Sequence, residues 1–183
     1  MQAADTLVVF YSRSGMTRRV AQAFAQVIGA DIQELRDTTN RGGLIGYLRS
    51  GMEATVGSLP AIAPLPVDPG AYRRVIVGTP VWNASVSSPV RSFLVSQGPR
   101  CKEVAFFCTF GGSGSDRVFR QMAKACGKQP IATLAIRDEE MGGSAPAQRI
   151  SELAERLGVS QPGVSSMRAS PAAAAHRGVT DHP

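Results

Sequence analysis

A parallel α/β sheet with helices packed on both of its faces is the fold class this sequence predicts. Short apolar runs rich in β-branched and aromatic residues alternate with segments whose apolar residues recur every three or four positions. Turn-like clusters of Gly, Ser and Thr follow three of the apolar runs, and prolines punctuate the longest connector. The 183 residues suit one domain with a real core, at about 100–200 residues per domain.

Leu7-Val8-Val9-Phe10-Tyr11 reads as the first strand and ends in the turn Ser12-Arg13-Ser14-Gly15. Val20, Phe24, Val27 and Ile28 then recur at helical spacing, and Asp31 to Leu35 forms a short second strand. Leu44, Leu48 and Met52, with Ile45 alongside, again have helical spacing, opposed by Gly42, Gly43, Gly46 and Gly51. Pro60, Pro64, Pro66 and Pro69 mark a surface connector. Val75-Ile76-Val77-Gly78 is a third buried strand, and a helix opens at Pro89 and runs to Ser96. Val104 to Cys108 is the fourth strand, followed by a helix through Val118, Met122 and Ala125. Ile131 to Ile136 is the fifth strand, and Ile150, Leu153 and Leu157 mark the last helix. Residues 158–183 are rich in Ser, Ala, Pro and Gly without an apolar period, so they are expected to be a flexible tail behind one domain at 1–157.

Composition removes several classes of function. The two histidines, His176 and His182, both lie in the tail, which leaves the body without a Ser-His-Asp or Cys-His centre. Cys101, Cys108 and Cys126 form no C-x-x-C pair, so neither a structural zinc site nor a disulfide framework is expected, and the compartment is reducing and cytoplasmic. No apolar run is long enough to span a membrane, and no basic region precedes the first apolar run as a secretory signal would require. The net charge is +6, and the tail's Arg168, Arg177 and Asp181 account for only one unit of it.

In a parallel sheet of this kind, ligands bind outside the carboxyl ends of the strands. Three loops occupy that edge. Ser12-Arg13-Ser14-Gly15-Met16-Thr17 joins a strand to a helix N-terminus, where unpaired backbone N–H groups and the helix dipole attract an anion. It is neither a Walker A loop nor a G-x-G-x-x-G loop. Gly78-Thr79-Pro80-Val81-Trp82-Asn83 carries the single Trp of the chain, a side chain suited to stacking on a flat ring. Thr109-Phe110-Gly111-Gly112-Ser113-Gly114 offers main-chain N–H groups to a ligand edge. A phosphate loop, an aromatic loop and a glycine loop on one edge suit a planar cofactor bearing a phosphate.

Phe10-Tyr11-Ser12-Arg13-Ser14-Gly15-Met16-Thr17 resembles the phosphate signature of the flavodoxin family, hydroxyl-x-hydroxyl-Gly-x-Thr after a strand. Val77 to Trp82 and Phe107 to Gly112 resemble that family's two isoalloxazine loops. The resemblance covers residues 6–157. It implies a flavodoxin-like three-layer sandwich around a five-stranded parallel sheet of order 2-1-3-4-5. It also implies that Ser12, Arg13, Ser14, Gly15, Met16 and Thr17 hold the phosphate of FMN, while Pro80, Val81, Trp82, Asn83, Thr109, Phe110, Gly111 and Gly112 flank the ring. The function so implied is electron transfer between redox partner proteins, a reductase and an acceptor, with neither nucleic acid nor a membrane span involved. The alternative is an NAD(P)H-dependent FMN or quinone reductase. Two departures stand out: the body is basic where carrier flavodoxins are acidic, and the third loop offers Phe110 where many members have Tyr.

Other residues have plainer roles. Asp138-Glu139-Glu140 reads as a solvated charge run, Arg18 and Arg19 as a solvated helix face beside the phosphate loop, and Cys108 as a small buried apolar group. A tyrosine phosphatase would need Arg six positions after a Cys, and a receiver domain an Asp at the end of the third strand; neither is present.

Overall fold

Five parallel strands form one sheet, and the central three, built from apolar runs, split their residues between two cores. A computed structural model describes residues 5–36, 59–143 and 145–159. The strands are β1 (Thr6–Phe10), β2 (Asp31–Glu34), β3 (Arg74–Trp82), β5 (Glu103–Phe110) and β6 (Thr133–Arg137), and a short β4 (Ser85–Val86) pairs antiparallel with the end of β3. The sheet order is β2-β1-β3-β5-β6. Counting only the parallel strands, this is the expected order 2-1-3-4-5.

The helices are α1 (Met16–Ile28), α2 (Ser88–Gln97), α3 (Ser115–Cys126) and α4 (Ala145–Arg156). Side chains alternate across the sheet, so Val8, Phe10, Ile76 and Phe107 face one way and meet Val20 and Phe24 of α1 and Ile150 and Leu153 of α4. Val9, Val77, Phe106 and Cys108 face the other way, against Phe93 and Leu94 of α2 and Val118 and Met122 of α3. The last turn of α3 buries Cys126 in place of Ala125. Both faces of the central strands are dry, which explains their unbroken apolar runs.

Gly78 is required by packing. It pairs with Phe107 on β5, and a Cβ there would overlap the Phe107 ring, which itself lies 5.2 Å from the ring of Phe24.

The third strand is longer than expected. Gly78-Thr79-Pro80 looks like a turn, yet β3 stays paired with β5 as far as Pro80 opposite Thr109. The carbonyl of Gly78 accepts from Tyr11 N–H at 3.2 Å, so Gly78 and, two residues on, Pro80 present their main chain towards β1. The register of β1 with β3 ends at Phe10, so the missing N–H of Pro80 falls where β1 has no more to pair. β3 and β4 are joined by Asn83 and Ala84, at φ 48 and 52, a two-residue hairpin turn with both central residues left-handed. Ala is strained there, by about 1–2 kcal/mol. Ala84→Gly is therefore expected to raise stability by about 0.5–1 kcal/mol, read as a higher urea midpoint at unchanged slope.

β2 ends at Glu34, one residue short of Leu35, and β6 starts at Thr133, with Ile131 left exposed. Leu35 is still buried, its N–H bonded to Phe10 O at 2.7 Å. α4 closes through Gly158, and Val159 N–H reaches back to Ala154 O at 3.0 Å. The helix expected through Leu44, Leu48 and Met52 lies outside the described residues, as does the expected tail from residue 160 onward.

Candidate functional site

β1, β3 and β5 end side by side, and the three loops that follow them meet at this edge. The first loop leaves β1 through Tyr11 and Ser12 and turns into α1 at Gly15, whose φ of 92 is open to glycine. Gly15 N–H donates to Ser12 Oγ at 3.1 Å, which curls the loop and leaves the Ser12 hydroxyl its own proton to donate. No side chain caps α1, and its first turn contains no acid. The first-turn N–H groups therefore lack intrahelical partners and face outward with the positive end of the dipole. Arg13 and Ser14 are exposed, Gly15 and Met16 half-buried. These features fit a phosphate: neutral donors, a positive dipole end and no competing carboxylate in the first turn.

Thr17 is placed differently from the other hydroxyls. It is 1% exposed, and its hydroxyl bonds that of Thr109 at 2.9 Å. This buried contact ties the start of α1 to the end of β5, so Thr17 positions the third loop relative to the first. Arg18 turns away to the sheet edge, where its guanidinium grips both carboxylate oxygens of Glu34 at 2.7 and 2.9 Å. That hydrogen-bonded pair raises the Arg18 pKa and offsets its charge, and Arg19 donates to Met141 O at 3.1 Å. Neither is simply a solvated face.

The expected loop at 79–88 is the β3–β4 hairpin. Pro80, Val81 and Trp82 are half-buried on its strand, and Asn83 is exposed at its tip. The rings of Trp82 and Tyr11 meet edge to face at 5.5 Å and 87°, which joins the hairpin to the first loop. Beneath them Ser87 N–H donates to Thr79 Oγ1 at 3.1 Å, and Val86 N–H donates to Gln121 Oε1 of α3 at 3.0 Å. The hairpin is thus fixed on both sides.

Thr109 and Phe110 are buried at the end of β5, while Gly111 and Gly112 are exposed. Phe110 is 8% exposed, and the Arg137 guanidinium lies 5.4 Å from its ring centroid. A cation therefore covers Phe110, and what this residue offers the edge is main chain. Asp138 lies beside Gly111, 3.3 Å from where a Cβ would stand. Glu140 accepts from Arg137 N–H at 2.9 Å and from Arg149 at 3.0 Å, so it shapes the turn after β6, whereas Glu139 is the solvated member of the run.

Cys108 is fully buried, and burial pushes its thiol up to about 12, which keeps it protonated and inert at neutral pH. No group of three or more His, Cys, Asp or Glu that could hold a metal occurs among the described residues. Cavities of about 490, 600 and 400 Å³ lie away from the three-loop edge, beside α3, the proline connector and β2.

Tyr11, Gln121 and Arg137 support the three-loop edge without having been singled out individually. Of these, Tyr11 carried a signal as an aromatic residue at the end of the first strand, and Gln121 and Arg137 carried none.

The solved structures that share this fold include three flavoproteins. A flavoprotein in complex with FMN from Lactobacillus acidophilus is 23% identical with a TM-score of 0.64, covering 76% of this chain and 97% of its own. A protein assigned as a flavoprotein from Bacteroides eggerthii is 20% identical at a TM-score of 0.70, covering 84% and 98%. One from Bacteroides uniformis, assigned likewise, is 18% identical at 0.69, covering 84% and 99%. No curated protein sequence matches the chain. The flavodoxin family model matches residues 5–134, which takes in β1 through the start of β6 and all three loops, and the chain belongs to the flavodoxin family.

Proposed function

We propose that this protein binds FMN noncovalently and carries electrons between protein partners, a reductase and an acceptor. The observation that carries the reading is the start of α1: an uncapped helix N-terminus, free of acid in its first turn, beside an aromatic hairpin and a glycine loop. Ser12, Ser14 and the main chain of Arg13 to Thr17 hold the phosphate. Pro80 to Asn83 lie along one side of the ring, and Thr109 to Gly112 supply main-chain contacts on the other. Bound FMN supplies one- and two-electron redox chemistry, and the residues around it set its position and its contact with solvent. The family model and the FMN-bound fold relative from Lactobacillus acidophilus support the cofactor.

Trp82 is expected to flank the isoalloxazine, and as the single Trp it reports directly. Its fluorescence should be strongly quenched on addition of FMN to the apoprotein; unchanged emission would leave it as part of the Tyr11 packing alone.

The binding unit is residues 1–157. A chain ended at residue 160 is expected to keep its FMN affinity and its melting temperature, and a drop of several degrees would give the remainder a packing role. Three buried, unpaired cysteines suit the reducing cytoplasm, and no helix among the described residues is long and apolar enough to cross a membrane.

The carrier reading is tested by anaerobic addition of NADH and NADPH to the FMN-loaded protein. Negligible reduction by either nucleotide is expected, with rapid reduction once a flavoprotein reductase is supplied. Turnover of NADPH with a quinone many times per second by the protein alone would replace the carrier with the reductase.

A further inference from the structure

The outer face of α3 carries cations that no carboxylate among the described residues meets. Several arginines on other elements do meet one, among them Arg18 with Glu34, Arg74 with Glu103, Arg100 with Asp68, and Arg149 with Glu140. On α3, Arg117, Arg120 and Lys124 are exposed at positions i, i+3 and i+7, so they share one face, opposite the buried Val118, Met122 and Cys126. Lys128 follows the helix and lines the same cavity as Arg120 and Lys124. None of these four side chains makes a hydrogen bond or ion pair among the described residues.

Helix electrostatics do not explain the arrangement. Lys124 in the last turn complements the dipole, but Arg117 in the first turn opposes it. The stripe starts three residues after Gly114, at the ring-side loop, and follows about 10 Å of helix from Arg117 to Lys124. Beside it, a cavity of about 490 Å³ with Phe119 and Pro130 in its wall contains no acid among its lining residues.

We infer that this face of α3 is a docking surface for the acidic face of a redox protein partner, the cations pairing with its carboxylates and the cavity receiving a side chain from it. The inference rests on the carrier reading, because an electron donor or acceptor must approach the edge where the stripe begins. Its extent favours a protein over a small anion, since Arg117 lies outside the cavity and the cations are spread along the helix. Complementary charge of this kind speeds encounter and fixes orientation.

The test uses the full chain and an acidic [2Fe–2S] ferredoxin as probe, with binding followed by calorimetry. Native protein should bind the probe at about 20 mM salt and at least tenfold more weakly at about 500 mM, where screening is short-ranged. The double variant Arg120→Glu with Lys124→Glu should bind at least tenfold more weakly at low salt, whereas Arg156→Glu, an exposed reversal on α4, should bind as the native chain does. FMN affinity and melting temperature should be unchanged in both variants. No salt-dependent binding by the native chain, or equal binding by the double variant, overturns the proposal. Tighter binding of a DNA duplex than of the ferredoxin, lost in the same double variant, would overturn it in favour of nucleic acid. The binding arm is run with and without FMN, so a chain that takes no FMN refutes the carrier reading while the stripe is still decided.

Discussion

Ser14→Asp is expected to weaken FMN binding on the order of a hundredfold while leaving riboflavin binding nearly unchanged. Ser14 is exposed one residue before the left-handed Gly15 at which α1 begins. A carboxylate about 5 Å from a phosphate charge costs roughly 3 kcal/mol at an effective dielectric near 20, which is the hundredfold. The same carboxylate suits the uncapped helix, whose first turn holds no acid, and should stabilise the apoprotein by about 0.3–1 kcal/mol. Affinity and stability therefore move in opposite directions, which a misfolded variant cannot imitate. Calorimetric titration with FMN and riboflavin, together with a melting curve of the apoprotein, checks both signs. Retained FMN affinity would place the phosphate elsewhere.

Gly78→Ala is expected to be the most destabilising single methyl addition at this edge. The new Cβ would overlap the ring of Phe107, which is fully buried and held against Phe24. Overpacking of this kind costs about 3 kcal/mol, or roughly 10 °C of melting temperature for a chain of this size. Because the clash has one named partner, Phe107→Leu in the Gly78→Ala background should recover part of the loss, although it destabilises the native chain on its own. Additive losses in that double-mutant cycle would show that the methyl acts through the main chain instead.

The features legible in the sequence are those carried by local chemistry. A dry strand running into Ser12-Arg13-Ser14-Gly15 and then an amphipathic helix predicts a tight turn at a helix N-terminus, and the structure builds that turn with Ser12 bonded to Gly15 N–H. Unbroken apolar runs along β1, β3 and β5 likewise anticipate a sheet with a core on each face. The extension of β3 to Trp82 was hidden because Gly78 and Pro80 are ordinary turn residues. They are accepted in a strand here only because Phe107 needs the space and β1 has already ended. Ala84 at positive φ gives no turn signal of its own. Contacts distant along the chain were equally invisible: Arg18 to Glu34, Thr17 to Thr109, Trp82 to Tyr11, and Arg137 over Phe110. These reassign side chains rather than loops. Thr17 becomes a tie between two loops, Arg18 an edge pair, and Phe110 a residue that meets the site through its main chain.

The central claim is that α1 recognises the phosphate of FMN, and side-by-side calorimetric titration of the native apoprotein with FMN and riboflavin tests it most directly. Two or more lost hydrogen bonds to a charged group, at roughly 1.5–3 kcal/mol each, predict that FMN binds at least a hundredfold more tightly than riboflavin. Equal affinity for the two would contradict the account.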